Sequence, residues 1–356
     1  MNVKINLDQI THSSVHRITE ERLVFGNIFS DHMLVRQFEN GNWGDANIVP
    51  RAPMQIDPTT LALHYGQAVF EGLKAYRNTE DQSIQLFRPE ANGRRLVDSC
   101  ERLAIPGVPV DEFVECVRAL VEIEKSWVPR EQGEALYIRP LIFASEQHIA
   151  VRAAMTYTFV IVAGPVEPYF ASGRSKLRLK AEARYTRAAS GGTGAAKTSG
   201  NYAGTLKPMA EAITEGFDQI LWLDGQTHQY AEEAGQMNVF FRIGDEVITP
   251  ELSGTILPGV TRDSVIQLLS DWGYTVSTRQ VSIQELKSAS DAGILSEMFG
   301  AGTAAVIAPI QSITFHDEEL SVNEHNGPDL SNRLLDTILG IQHGTIADTH
   351  GWTVKI

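Results

Sequence analysis

Between Gly164 and Ser175 the chain passes two prolines, two glycines and several polar residues, and this stretch divides two series of strand-like and helical segments. Before it, Ala135 to Phe143 and Thr156 to Val162 are rich in β-branched and aromatic residues, as strands are. Phe113 to Glu124 carries apolar residues at helical spacing behind Asp111 as a cap, and Pro89 suits the first turn of a helix that contains Arg95. After it come a strand-like run from Lys176 to Ala183, a glycine-rich loop, a helix near Lys207 to Glu215, and strands around Ile220 to Leu223 and Asn238 to Arg242. Thr261 to Trp272 reads as an amphipathic helix, with Val265, Leu268, Leu269 and Trp272 on one face and Gly273 ending it. A chain of 356 residues lets each series bury its own core. The mixture predicts an α+β or α/β enzyme of two subdomains whose seam is the default place for a ligand pocket.

Charge and cysteine usage narrow the partners. A net charge of −14 repels polyanions, so neither nucleic acid nor an anionic membrane surface is an expected partner. No stretch has the length to span a bilayer, and the opening MNVKINLDQITHSS resembles neither a signal nor a transit peptide. Both cysteines fall on apolar helical stripes, Cys100 with Leu96 and Leu103, Cys116 with Phe113, Val117 and Leu120. They read as reduced core residues of a cytoplasmic protein, and no metal site is expected.

The densest signal is SGGTGAAKTSGNYAG, Ser190 to Gly204, in which one lysine stands among glycines and small residues. A phosphate-cradling loop would need a second glycine where Ala196 stands and a helix directly after the lysine, whereas Ser199, Gly200 and Asn201 are poor helix formers. A lysine enclosed by small residues can instead lose charge and condense with an aldehyde, which is Schiff-base chemistry. The loop alone also admits a solvated lysine with no chemical role.

Lys197-Thr-Ser-Gly-Asn-Tyr202, followed 31 residues after Tyr202 by Glu233-Ala-Gly-Gln-Met-Asn238, resembles the signature of the branched-chain amino-acid aminotransferases, which are fold-type IV pyridoxal-phosphate enzymes. FGNIFSDHMLV, LHYGQAVFEGLKAYR, LFRPEANGRRL, ALYIRPLIF, LPGVTRDSV and FGAGTAAVIAPI are similar to that family too, in its order and at its approximate spacing, so the likeness runs from about Arg22 nearly to the end. The resemblance implies a small N-terminal α/β domain over 1–168, an interdomain loop over 169–181, a larger C-terminal domain over 182–356 with a pseudo-barrel of strands, and an active site at their seam. It also implies a homodimer with pockets completed across the interface.

The resemblance further implies roles for single residues, each with a physical reason. Lys197 would bond to the aldehyde of pyridoxal 5'-phosphate and later shuttle a proton. Glu233 would accept a hydrogen bond from the pyridine nitrogen and hold it protonated, and Tyr202 would hydrogen-bond the phenolic oxygen. Arg95, Val260, Thr261 and Thr303 would take the phosphate, Val260 and Thr261 lying where a helix begins. Thr303 and Ala304 would bind the α-carboxylate through backbone N–H groups. Tyr137 and Arg139, two apart on one strand face, would bind substrate, Arg139 pairing with the distal carboxylate of glutamate or 2-oxoglutarate. Phe25, Tyr65, Phe70, Tyr169 and Met237 would line an apolar side-chain pocket.

The implied activity is reversible transfer of the amine from leucine, isoleucine or valine to 2-oxoglutarate, giving glutamate. A D-amino-acid transaminase or an aminodeoxychorismate lyase would share the fold but is typically shorter, and a nucleotide-binding loop protein is the remote alternative. Ala305-Val306-Ile307-Ala308 stands where mammalian members carry a Cys-x-x-Cys pair, so thiol redox control is not expected, and Gln236 within the Glu233 motif leaves the ranking of the three amino acids open.

Overall fold

The computed structural model describes residues 3–10, 12–169, 176–323 and 329–356. In the first half the elements are β1 (Ile5–Leu7), α1 (Arg17–Glu20), β2 (His32–Glu39), β3 (Asn42–Trp43), β4 (Ala46–Pro50), α2 (Leu61–Tyr65), β5 (Ala68–Phe70), β6 (Leu73–Arg77), β7 (Ile84–Phe87), α3 (Pro89–Arg102), α4 (Val110–Ile123), β8 (Ala135–Ala144) and β9 (Tyr157–Val166). The two helices expected here are α3 and α4. Pro89 occupies the first turn of α3, where its missing N–H costs nothing. Pro109, not Asp111, stands at the N-cap of α4, and no side chain caps it. Gly164 is not linker but β9, where a Cβ would lie 2.1 Å from the Ile28 carbonyl oxygen; residues 170–175 of the expected linker lie outside the described residues.

The second half comprises β10 (Leu177–Glu182), α5 (Ser199–Ala203), α6 (Leu206–Thr214), β11 (Gln219–Leu223), β12 (Ala231–Ala234), β13 (Met237–Ile243), β14 (Glu246–Thr249), α7 (Val260–Asp271), β15 (Thr275–Thr278), α8 (Ile283–Asp291), β16 (Leu295–Gly302), β17 (Val306–Phe315), β18 (Glu318–Ser321), α9 (Leu330–His343) and β19 (Thr353–Lys355). Helix α5 corrects one expectation, because Ser199, Gly200 and Asn201 are helical despite weak propensity. Side-chain bonds supply what propensity lacks: Asn201 Nδ2 donates to the Thr193 carbonyl at 2.7 Å, and Thr193 Oγ1 lies 2.6 Å from Asn201 Oδ1.

The chain divides into two compact units, one of Met1–Pro168, Ala196–Ser199 and Leu339–Ile356, the other of Tyr169–Ala195 and Gly200–Ile338. The expected boundaries put all of 182–356 in one domain, whereas the C-terminal residues belong with the first unit. The cause is pairing: β19 lies antiparallel to β7, and Gln85 Nε2 donates to the carbonyls of Ile341 and Gln342.

The first unit is built on one sheet in the order β1-β4-β2-β9-β8-β6-β7-β19, with β3 beside β2 and β5 beside β8. Helices α3 and α4 bury Leu96, Cys100, Phe113, Cys116, Val117 and Leu120 in the same core as Leu73, Ala75, Ile138 and Phe159 of that sheet. The apolar stripes seen in the sequence therefore face one core, and both cysteines are buried and unbridged within it.

In the second unit the strands follow the order β12-β11-β10-β17-β16-β13, and β13 pairs back onto β12, so six strands close into a barrel. Strands β14 and β15 extend from β13, and β18 from β17. Closure removes sheet edges, and the inward side chains fill the barrel. Val265, Leu268 and Leu269 of α7 are buried as expected, and Gly273 follows with φ of +80°, a left-handed turn that ends the helix.

Candidate active site

In the first unit the lysine of the glycine-rich segment is clamped. Lys197 N–H donates to Ser99 Oγ at 2.9 Å, the Lys197 carbonyl accepts from Phe70 N–H at 3.0 Å, and Thr198 Oγ1 donates to the Ala68 carbonyl at 2.7 Å. Val69 and Thr198 form an isolated antiparallel bridge. The segment is thus held along β5 as a short extra strand, which fixes where the side chain starts and removes the reading of a loose surface lysine. Lys197 Nζ stands 5.0 Å from the centre of the Phe70 ring. The strand-like backbone at Lys197 also separates this segment from a phosphate loop, in which the lysine opens a helix.

The resemblance implies that Arg95 takes the phosphate. The structure buries this arginine on α3 in a two-pronged pair with Glu71, with Nε at 2.7 Å from Oε1 and Nη2 at 2.8 Å from Oε2. Glu71 is wholly buried and also accepts from Asn92 Nδ2 at 2.8 Å and from Gly72 N–H at 3.1 Å. Burial alone would push its carboxyl up, but the charges of Arg95 and Lys197 and the donated hydrogen bonds hold it below the ordinary carboxylate range.

Tyr137 and Arg139 do share a strand face: Arg139 Nη2 donates to Tyr137 Oη at 2.8 Å, and the guanidinium lies 4.7 Å from the centre of the Phe70 ring. Phe25 meets Tyr137 edge-on at 4.7 Å between ring centres. Gly72 makes room for this arrangement, since a Cβ there would fall 2.1 Å from Tyr137 Oη. The first unit therefore gathers Phe25, Phe70, Arg95, Tyr137, Arg139 and Lys197. Tyr65, at the end of α2, is exposed, its ring tilted against its neighbour His64. Tyr169 is exposed as well.

In the second unit Glu233 lies on β12, every residue of which is buried. It faces Arg187, whose Nη2 is 2.5 Å from its carboxylate. Arg187 also donates to the carbonyls of Gly194, at 3.2 Å, and Thr255, so one guanidinium ties the glycine-rich segment to the carboxylate. Glu232, its neighbour in sequence, bonds Thr255 Oγ1 at 2.5 Å instead, and burial raises its carboxyl above the ordinary range. Tyr202 sits on α5.

Val260 and Thr261 open α7, a helix whose N-cap is Gly259 and whose first turn has no side-chain cap. Asn238 shapes the approach, donating to the Leu257 carbonyl at 3.0 Å and leaving no space for a Cβ on Gly259, which would lie 2.0 Å from Asn238 Oδ1. Thr303 and Ala304 form the turn between β16 and β17. Met237 is buried against that hairpin; a Cβ on Gly300 would come 2.8 Å from its methyl carbon.

Taken unit by unit, the first offers a clamped amine and a buried arginine, groups that suit an aldehyde and an anion, and the second offers a helix N-terminus without a side-chain cap and a buried, arginine-held carboxylate, groups that suit an anion and a ring nitrogen. Among the described residues no cluster of histidine, cysteine, aspartate or glutamate could hold a metal ion, and no helix is long and apolar enough to cross a membrane. Glu71 and Arg187 are not singled out by the sequence reading. Each is tolerable only because it is paired, and its partner lies far away in the sequence, so no local pattern marks it.

Comparison with known proteins identifies the family. The family described as Amino-transferase class IV matches residues 68–313. The chain is 45% identical over 349 residues to branched-chain-amino-acid aminotransferase 2 of Bacillus subtilis, covering 98% of this chain and 96% of that one. It is 43% identical over 338 residues to the branched-chain-amino-acid aminotransferase of Mycolicibacterium smegmatis, covering 93% of this chain and 92% of that one. Among solved structures, the branched-chain amino acid aminotransferase from Escherichia coli superposes with a TM-score of 0.72 at 26% identity, covering 91% of this chain and 98% of that one.

Proposed function

This chain belongs to the class IV aminotransferases, in the group of the branched-chain-amino-acid aminotransferases, and on that premise we propose that it moves the amine of leucine, isoleucine or valine reversibly onto 2-oxoglutarate. The observation that carries the reading is the clamped Lys197 beside the Phe70 ring, in a segment that also bears the family's signature. Bound pyridoxal 5'-phosphate supplies an aldehyde that accepts the amine and a ring that withdraws electrons from the substrate's α-carbon.

The chain's own residues do the rest. Lys197 Nζ would hold the cofactor and would carry the proton that leaves the α-carbon of the amino acid. Glu233, paired with Arg187, accepts a hydrogen bond from the ring nitrogen, and Tyr202 Oη bonds the phenolic oxygen. Arg95, the first turn of α7 at Val260 and Thr261, and Thr303 hold the phosphate. Backbone N–H groups at Thr303 and Ala304 take the α-carboxylate, and Arg139 with Tyr137 takes the distal carboxylate of glutamate. Phe25, Tyr65, Phe70, Tyr169 and Met237 wall the aliphatic chain.

The chain acts as a homodimer in the cytoplasm. Leu63 and Tyr65 on α2, with Ile149, Val151 and Met155 in the loop between β8 and β9, form an exposed apolar surface of the first unit, and apolar patches of this kind mark interfaces. The two segments are tied together by His148 N–H to the Thr59 carbonyl and Leu61 N–H to the Glu146 carbonyl.

The test is the absorbance of the purified protein with pyridoxal 5'-phosphate, followed on addition of L-leucine and then 2-oxoglutarate. The visible band should vanish with the first and return with the second, and Lys197→Ala should exchange no amine. Full exchange by that variant, or exchange with D-alanine in place of L-leucine, overturns the reading.

A further inference from the structure

We propose that Glu71 is a positioning residue, the shared counter-ion of Arg95 and Lys197, which holds the Arg95 guanidinium in one orientation and sets the pH at which the nitrogen of Lys197 gives up its proton. The proposal rests on the role given to Lys197 above.

Glu71 lies in the turn between β5 and β6, in the apolar run Val69 to Leu73, and is wholly buried. A buried carboxylate persists only when opposite charge and donors surround it. Arg95 provides two parallel bonds, a geometry that fixes a guanidinium in plane and rotation. Asn92 and the Gly72 N–H fill the remaining positions on Oε2. Ser99 joins the two cations from behind: its Oγ donates to the Arg95 carbonyl and accepts from Lys197 N–H, so the backbones that carry them are held together.

The Lys197 charge is felt at Glu71, lowering its carboxyl, and the same interaction acts in reverse to favour a proton on the lysine nitrogen. The other charged or titratable groups facing this cluster are Arg95 on α3 and Tyr137 and Arg139 on β8. Arg95 and Arg139 are cationic and disfavour a further proton on Lys197. Glu71 is the carboxylate that opposes them.

The experiment is a pH titration of the visible absorbance of the protein loaded with pyridoxal 5'-phosphate, alongside the Kd of the unloaded protein for that compound and for pyridoxal. Glu71→Gln keeps the shape and removes the charge. Its titration midpoint should fall by roughly one pH unit or more, and its preference for the phosphorylated compound over pyridoxal should narrow. A merely structural role would weaken both ligands and lower Tm while leaving the midpoint in place, and that result overturns the proposal. Should Glu71→Gln not fold, Glu71→Asp decides, because it keeps the charge but withdraws it by one methylene. A lowered midpoint in Glu71→Asp supports the proposal and an unchanged one overturns it. If the wild-type protein never develops the visible band, the assignment of Lys197 has failed instead, and the two failures are distinct.

Discussion

Arg187 Nη2 lies 2.5 Å from the carboxylate of Glu233, and both side chains are almost closed to solvent, at 9% and 4% exposure. A carboxylate proposed to keep a ring nitrogen protonated must itself stay ionised, and in a dry strand of the barrel it stays so only beside a cation. Replacing Arg187 with Met removes that cation. Burial without a cation beside it disfavours a charged carboxylate. Amine exchange should therefore fall at neutral pH and recover as pH rises, and breaking the buried pair should cost up to about 3–5 kcal/mol of stability. An unmoved acid limb in the pH–rate profile, together with an unchanged Tm, would contradict this.

The apolar surface at Leu63, Tyr65, Ile149, Val151 and Met155 gives a second prediction. Val151 is 87% exposed, more than a large apolar side chain normally remains in a monomer's surface cluster. Leu63→Asp with Val151→Asp should move the mass in light scattering from two chains to one without unfolding either. A monomeric wild type, or a dimer indifferent to both charges, removes this surface as the interface.

Lys74 is buried on β6, and desolvation pushes its ammonium down to about 8 from an ordinary 10.5. Its folded-state value is depressed, so between about 8 and 10.5 the unfolded chain binds more protons and stability rises with pH. Below about 8 the penalty is present in full. Lys74→Met should accordingly be more stable than wild type near pH 7, by on the order of 3 kcal/mol if nothing else changes, and this advantage should shrink as pH climbs towards 10.5. Urea unfolding of the two proteins across that range checks it. A difference that stays flat with pH would show that desolvation of Lys74 is not the cause.

How far the site can be read from residues alone differs from group to group. Lys197 is legible because small residues around one lysine are a local pattern, and the helices carrying Arg95 and Thr261 are legible because apolar spacing and proline placement are local too. Glu71 is not: what makes it tolerable is Arg95, 24 residues away, and only the sheet brings α3 against the β5–β6 turn. Arg187 lies 46 positions before Glu233, and barrel closure is what joins them. The closure itself, β12 pairing with both β11 and β13, is a long-range property that alternation within one strand does not encode. Helix α5 escapes the reading for the reverse reason, since weak propensity over five residues yields to Asn201 and Thr193 holding the turn.

The buried thiols yield a further expectation. Desolvation pushes both Cys100 and Cys116 up to about 12, so at pH 7 to 8 scarcely any thiolate exists. A thiol reagent such as a disulfide dye should titrate neither cysteine in the folded protein and both after denaturation, and amine exchange should survive mild oxidant. Rapid labelling of a folded sample, or activity lost to oxidant and restored by reductant, would contradict it.

Val306, next after the Thr303–Ala304–Ala305 turn, has φ of +60°, a left-handed conformation that β-branched residues rarely adopt. Its side chain is nevertheless buried, so two effects oppose each other. The conformation costs roughly 1–2 kcal/mol in strain, and burial of a Val side chain returns about 1.5–3 kcal/mol. Val306→Ala loses most of the burial and keeps the strain; Val306→Gly loses the burial and is released from the strain. The usual order of the two should thus be reversed, with the Gly variant the more stable of the pair in thermal unfolding. If strain is also what holds the turn that presents the Thr303 and Ala304 N–H groups, Val306→Gly should raise KM for the amino acid more than Val306→Ala does, at similar kcat. An alanine variant more stable than the glycine variant would mean that the left-handed residue carries no strain, and the link between this turn and substrate affinity would go with it.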